Sequence, residues 1–313
     1  MPDYDTLLDD EMKAFVERTN SFYPPETATF TIDQQRSIYD RMCREFHTGY
    51  PAGILVRDES IPAPHPVPVR IYDRVGMTSP AATVVYFHGG GFVVGGLESH
   101  DDVCAEICAS TGYRVVSVDY RLSPENEHPA AFDDAMAAFQ WVAGGFSGPI
   151  ILSGDSAGGN LAAAISHATR HQERKPAGQV LIYPGLGGDR STGSYRDHAN
   201  APMLTAADID FYAGIRTGGV EKLGDPTQAP LQDTDFSGLP PTLAFPAECD
   251  PLHDDCPNYC AAIMAAGGKA LSVTQKGWLH GGLRARHTAS VGTSAFSQIC
   301  MAIAALGQGR WPG

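Results

Sequence analysis

Ile150-Ile151-Leu152-Ser153-Gly154-Asp155-Ser156-Ala157-Gly158-Gly159-Asn160 runs straight into Leu161-Ala162-Ala163-Ala164-Ile165. An apolar run of strand character leads to a Gly-x-Ser-x-Gly turn, and good helix formers follow. Strand, sharp turn and helix make the setting in which this motif carries chemistry. Gly154 and Gly158 lack a Cβ, so strand and helix can close on each other around a strained turn. Such a turn lifts the Ser156 hydroxyl clear of the sheet. It also sets the next backbone N–H, on Ala157, at the positive end of a helix. With only two glycines and a serine fixed, the motif arises by chance in roughly one chain in ten of this length. The rest of the sequence must therefore support it.

Working outward, residues 83–87 form a continuous apolar run of the kind seen in buried parallel strands. Further strands are expected at 114–118, 179–183, 242–245 and 270–274. Helices are expected at 98–111, at 129–143 with Pro129 near its start, and at about 288–305. Strands alternating with helices imply an α/β fold, a parallel sheet wound on both faces. Residues 67–72 alternate and include Pro68, which fits an edge strand better than a central one.

Residues 3–47 read as helical, with Leu7, Leu8, Met12, Phe15 and Val16 at near-helical spacing. Pro24-Pro25 breaks the pattern, and a second helix is expected to start near Thr31-Ile32-Asp33. This acidic, amphipathic arm suits a cap or a dimer element. Residues 184–240 break the strand–helix rhythm. They are long and rich in Gly, Pro and Asp, with one helix expected near 206–214, as in functional insertions and lids.

The 313 residues suit one large α/β domain with an appended piece, or two domains. A net charge of -14 argues against nucleic acid and anionic membrane surfaces as partners. No segment reads as long and apolar enough to span a bilayer. The acidic start Met1-Pro2-Asp3-Tyr4-Asp5 lacks the features of a signal peptide, so a cytoplasmic location is expected. Seven cysteines, an odd number without a C-x-x-C pair, do not form a disulfide framework. Cys104/Cys108 and Cys256/Cys260 read as buried thiols at i,i+4 on helices.

A serine nucleophile needs a base to take its proton and a third group to hold that base. Histidine suits the role because its unperturbed pKa lies near working pH. In a wound sheet, reacting groups gather beyond the carboxyl ends of the strands. Among eleven histidines, His280 lies past strand 270–274, in Gly277-Trp278-Leu279-His280-Gly281-Gly282. Asp250 lies past strand 242–245, with Glu248, Asp254 and Asp255 as nearby competitors. The order Ser156, Asp250, His280 is that of α/β-hydrolases.

Acyl transfer also needs donors for an oxyanion, each worth roughly 3 kcal/mol in barrier. His88-Gly89-Gly90-Gly91-Phe92 directly follows strand 83–87. Its glycines let backbone N–H groups turn inward without a side-chain clash. Gly90 and Gly91, with the Ala157 N–H, complete a three-donor hole, and His88 and Gly89 support the loop.

The sequence resembles the hormone-sensitive-lipase family of α/β-hydrolases, the bacterial family IV esterases. The likeness rests on residues 88–92, on Asp119-Tyr120-Arg121-Leu122-Ser123-Pro124-Glu125, on residues 154–160 and on Asp250-Pro251-Leu252. It covers roughly residues 60–305. It implies an α/β-hydrolase fold with a mostly parallel eight-stranded sheet, and hydrolysis of short-chain carboxylic esters by Ser156, Asp250 and His280. It implies a helical cap at residues 1–50, a catalytic domain at 51–313 and a cap insertion at about 185–225. The implied partner is a small-molecule ester, without stable membrane association, and homodimers are frequent in such families. No cofactor or metal is implied. The family has His-Gly-Phe after its histidine, whereas this chain has His280-Gly281-Gly282-Leu283, a difference that bears on pocket shape.

Other constellations carry less. Arg121 and Glu125 are expected to form ion pairs holding loops beneath the site. His167 and His171 are i,i+4, but the Glu of His-Glu-x-x-His is absent. Asp250, His253, Asp254 and Asp255 lack the calcium-loop pattern, and residues 89–96 lack the Gly-Lys-Ser/Thr of a P-loop. Phe15, Phe22, Tyr23 and Phe30 suit either a cap lining or ordinary packing. The same triad also serves amidases and formamidases. A hydrolase-fold receptor would have lost a triad member, and here all three are present.

Overall fold

A run such as Thr-Val-Val-Tyr-Phe is apolar on both faces, so it is stable only where both faces are covered. The computed structural model describes residues 2–24, 26–220, 222 and 224–313. Among the described residues there are ten strands: β1 (Ile54–Ile61), β2 (Val67–Arg74), β3 (Thr83–Phe87), β4 (Arg114–Val118), β5 (Ile150–Asp155), β6 (Gly178–Ile182), β7 (Thr242–Phe245), β8 (Ala247–Cys249), β9 (Ala270–Ser272) and β10 (Gln275–Leu279). Eight form one sheet in the order β1-β2-β4-β3-β5-β6-β7-β9. β2 is antiparallel to both β1 and β4, and the other pairings in the sheet are parallel. β8 and β10 form a separate parallel pair.

The arm consists of α1 (Tyr4–Leu7), α2 (Asp10–Asn20) and α3 (Ile32–Glu45). The remaining helices are α4 (Asp101–Thr111), α5 (Ala130–Gly145), α6 (Ala157–Thr169), α7 (Ser194–Asp197), α8 (Ala206–Thr217), α9 (Asp255–Ala265) and α10 (Ser290–Gly307). Alternation along each strand divides the core in two. Val84 and Tyr86 pack with Cys104 and Ile107 of α4 and with Ile299 and Ile303 of α10. Val85 and Phe87 pack on the other side, with Phe139 of α5, Leu161 of α6 and Ile263 of α9.

The structure corrects three sequence expectations. β2 is not the edge: β1, which was not anticipated, lies outside it. Arg57, Asp58 and Glu59 hide β1 from a hydrophobic reading, and such charges suit an exposed edge. Pro68 is tolerated because the β2–β4 ladder begins at Val69. Second, the strands that precede Asp250 and His280 are β8 and β10, not β7 and β9. Third, α10 is long and apolar enough to cross a bilayer. Just over half of it is buried, and it packs on β5, β6, β7 and β10 as a core helix.

The arm is anchored by polar contacts. Thr31 and Gln34 form a capping box that starts α3. From α3, Arg36 donates from Nε to the Val93 carbonyl at 2.8 Å and from Nη2 to the Ser123 carbonyl at 2.9 Å. It also grips Glu125 through both Nη atoms, at 2.8 and 2.7 Å. Glu125 therefore binds the arm, while Arg121 pairs with Asp134 of α5 at 2.8 Å.

Arg36→Ala should loosen the arm without disturbing the sheet. The expected cost is about 1–3 kcal/mol, that of charge-assisted bonds partly open to water. Limited proteolysis should then cut within residues 20–35 faster than in the wild type. Cleavage at an unchanged rate would mean that apolar contacts alone hold the arm.

Candidate active site

The helix formers after Ser156 place α6 directly on the ends of β3 and β5. A Cβ on Gly158 would lie 1.9 Å from the Phe87 carbonyl oxygen, and one on Gly154 would lie 2.5 Å from it. No other residue fits at either position. The turn between them holds Ser156 at φ 54° and ψ -118°. That conformation costs a non-glycine residue of the order of 1–3 kcal/mol. The Ser156 N–H to Ile182 carbonyl bond, 2.9 Å, helps hold it.

Ser156 Oγ lies 2.9 Å from His280 Nε2. On the far side of the ring, His280 Nδ1 lies 2.7 Å from Asp250 Oδ2. The Leu252 N–H donates to Asp250 Oδ1 at 2.9 Å. Asp250 is fully buried and so has no water to stabilise its charge; these two bonds take that place. The Tyr183 ring lies 4.8 Å from the imidazole and walls one side. The competing carboxylates are engaged elsewhere. Glu248 accepts from the Gly277 N–H, Asp254 from the Ser194 N–H, and Asp255 from the Leu186 N–H.

The glycine loop faces the same hydroxyl. Gly90 and Gly91 take φ values of 129° and 60°. A Cβ on Gly90 would strike the Val94 carbonyl oxygen at 2.1 Å. Among the described residues, the N–H groups of Gly90, Gly91 and Ala157 meet no acceptor within the chain. His88 lies beneath, its Nδ1 2.8 Å from the Gly89 carbonyl and its ring stacked on Tyr120 at 4.3 Å.

The sequence reading missed Asp155, the x of Gly-x-Ser. Its buried carboxylate accepts from Tyr86 Oη at 2.8 Å, from the Gly89 N–H at 2.9 Å and from His100 Nε2 at 3.1 Å. Burial alone would raise its pKa. The His100 imidazole, the Arg284 guanidinium and the Tyr86 hydroxyl overcome that and hold the carboxyl far below the usual range. A second acidic residue beside the serine was visible in the motif; its partners, 55 and more residues away in sequence, were not.

Two cavities meet at Ser156. One, of about 340 Å³, is lined mainly by the 185–232 segment and by Phe92 and Asn160. The other, of about 530 Å³, is lined by the arm, including Tyr23 and Tyr39, and by Met203 and Phe211. Of the arm aromatics, Tyr23 lines a cavity, whereas Phe15 packs on Phe46 in the core. A Cβ on Gly282 would meet the Trp278 indole at 2.4 Å, so that ring already fills the space beside Gly282. His167 bonds Asp233 and Tyr259, and Cys104, Cys108, Cys256 and Cys260 are buried free thiols.

A wound sheet with a serine on a strained strand–helix turn, a histidine and an aspartate in hydrogen-bonded order, and open amides opposite defines an α/β-hydrolase. Residues 84–284 match the family described as having the alpha/beta hydrolase fold, and the chain belongs to that family. Carboxylesterase NlhH of Mycobacterium tuberculosis is 37% identical over 226 residues, 69% of this chain and 70% of that protein. Ethyl acetate hydrolase of Pseudomonas putida is 35% identical over 215 residues, 65% of this chain and 67% of that one. The solved structure of an ester-hydrolase from the metagenome of Lake Arreo superposes with a TM-score of 0.88 at 30% identity, covering 96% of this chain and 98% of that one.

His88 gives the site a pH signature. Burial, with His100 adding to it, pulls its pKa down to about 4. An unfolded imidazole titrates near 6.5. Between those values the unfolded chain binds a proton that the folded chain refuses. Stability from this group is therefore full above pH ~6.5 and falls as pH drops toward 4, by up to about 1.4 kcal/mol per pH unit. Urea unfolding at pH 4.5, 5.5, 6.5 and 7.5 should show a shallower slope for His88→Gln than for the wild type. Equal slopes would mean that His88 is protonated in the fold.

Proposed function

We propose that this chain is a serine carboxylesterase acting on short-chain esters. The observation that carries this is the unbroken row Ser156–His280–Asp250 facing three unbonded amides across two open cavities. Its relatives named as a carboxylesterase and an ethyl acetate hydrolase support the same reaction.

The chemistry follows from the geometry. Ser156 Oγ attacks the ester carbonyl carbon while His280 Nε2 takes the hydroxyl proton. Asp250 fixes the tautomer that leaves Nε2 free and stabilises the imidazolium that forms. The carbonyl oxygen becomes an oxyanion and accepts from the Gly90, Gly91 and Ala157 N–H groups. His280 returns its proton to the leaving alcohol, giving an acyl-serine and a free alcohol. Water then repeats the path, with His280 as base, and releases the acid and the hydroxyl.

Residues 1–50 serve in this reading as the cap, with the insertion at about 185–225 as its second part. The smaller cavity suits a short acyl chain. The substrate is a small-molecule ester rather than a nucleic acid or a lipid surface. Seven free, buried thiols favour a cytoplasmic site of action.

Ser156→Ala should lower kcat on a short nitrophenyl ester by at least ~10³-fold while leaving the thermal midpoint at or above the wild-type value, since the strained turn is kept. An organophosphate should label the wild type on one serine, read by intact mass. Absence of labelling would favour a binding protein over an enzyme. Matched ester and amide substrates separate an esterase from an amidase: a faster amide would overturn the ester reading while leaving the triad in place.

Activity should also follow acyl length. Rates should be highest on acetyl to butyryl nitrophenyl esters and fall steeply by decanoyl. A maximum at long chains would move the acyl group to the larger, arm-lined cavity.

A further inference from the structure

Among the described residues, three arginines are buried: Arg216, Arg284 and Arg286. Arg286 pairs with Asp102 and Glu106. Arg284 has no carboxylate at ion-pair distance among the described residues; it donates to the Ser99 carbonyl and the Tyr39 hydroxyl, and Asp155 acts on it from farther off. Arg216 is the third. It is 8% exposed, and among the described residues no carboxylate lies within ion-pair distance of it. Asp225, the acidic group nearest in effect, is spent on Thr227 and lies 3.6 Å from His128.

Arg216 comes from α8 of the insertion and lines the 340 Å³ cavity together with Ser156, Ala157 and Gly91. Its guanidinium carbon lies over the Phe92 ring, 3.6 Å from the centroid, which places the cation beside the glycine loop. Nη1 donates to the Gln228 carbonyl at 3.0 Å, and Nη2 to Asn160 Oδ1 at 3.3 Å and the Thr227 carbonyl at 3.4 Å. Nε and one Nη1 hydrogen meet no acceptor among the described residues. Burying a cation without a counter-charge costs several kcal/mol, and a well-packed apolar side chain would be no less stable. A guanidinium held in place with an unused N–H donor can give a carboxylate a charge-assisted hydrogen bond. Burial draws its pKa down to about 9, which leaves it charged at neutral pH. Among the described residues, the other charged groups on this cavity are Arg190 and Lys222, and Asp189, whose carboxylate sits at the exposed rim and accepts from Ser191.

We propose that Arg216 binds a carboxylate carried by the substrate, so that the preferred esters are small ones bearing a free carboxylate near the scissile bond. This rests on the esterase reading above and names the substrate class of the same site. The whole protein carries -14, which repels an anion at long range, so recognition is local to the cavity. Removing a charge-assisted hydrogen bond costs about ten- to a hundredfold in affinity or rate.

The test compares monoethyl succinate, acetoxyacetate and their neutral methyl esters. The first anion carries its carboxylate on the acyl side and the second on the alcohol side, so the better one identifies the side that faces Arg216. Wild type should prefer at least one anion over its neutral partner in kcat/KM. Arg216→Gln should lower the anionic-to-neutral ratio ten- to a hundredfold, and Arg216→Lys should restore part of it. A ratio unchanged in Arg216→Gln, or neutral esters preferred by wild type in both pairs, overturns the proposal. Calorimetry on Ser156→Ala, which retains Arg216, covers the case in which the Arg216 variants fail to fold. There the anionic ester should bind at least tenfold tighter than its neutral partner, and equal binding overturns the proposal. If Ser156→Ala binds the anion tightly while wild type cleaves no ester, the carboxylate site stands and the esterase reading falls.

Discussion

One buried carboxylate holds this site in register. Asp155 sits between the serine turn and the glycine loop, and its two oxygens are shared among Tyr86, Gly89 and His100. The bond to the Gly89 N–H sets the height of the loop relative to Ser156, one residue away along the chain. The His100 contact leads on to Arg284, and Arg284 donates to Tyr39 of α3 at 2.7 Å. A single charge thus connects the nucleophile turn, the amides opposite it and the arm above. Buried in apolar surroundings it would be costly alone; with three donors and a nearby guanidinium it stays ionised.

The parts of the fold legible in sequence were those with one dominant signal. The continuous apolar runs at β3, β4, β5, β6 and β7 read as buried strands, and the helices between them were read from helix formers, from Pro129 and from their place between strands. The meeting of Ser156, His280 and Asp250 was legible because each lies in a marked turn at the carboxyl end of a strand. β1 was not legible, since its three central charges suit solvent on an edge. β8 and β10 were not legible either, being three and five residues long and stabilised by pairing with each other. Long-range polar partners were the other gap. Nothing local to Arg36 says that it reaches Val93 and Glu125, and nothing local to Arg216 says that it lies over Phe92.

The chemistry and the selection are built from different parts of the chain. The floor of the site comes from strand ends and the two glycine turns, where backbone-to-backbone contact leaves no freedom to vary. The roof comes from the arm and the 185–232 segment, which touch the floor through side chains: Arg36 on the loop after Phe92, Tyr212 against Gly91, Arg216 on Phe92. Side chains in those positions can change without moving the triad. In the proposed reading substrate class is set by the roof, and it is there that Arg216 lies with no carboxylate at ion-pair distance among the described residues.

The surroundings also determine which imidazole can do the work. His88, His100 and His280 all lie close to the serine turn. His88 has a backbone carbonyl on one nitrogen and, among the described residues, no partner on the other. His100 is sealed between Ser99 and Asp155. Burial keeps both from accepting a proton readily. His100 has a hydroxyl and a carboxylate on its two nitrogens as His280 does, but its hydroxyl, Ser99, donates to the Gly96 carbonyl, whereas the hydroxyl beside His280 is that of Ser156, which lines both cavities. In the proposed esterase reaction a proton taken from Ser156 there would be balanced by Asp250 and passed to a leaving group in the open space. The other two rings lie against the glycine loop, His88 through the Gly89 carbonyl and His100 through Asp155.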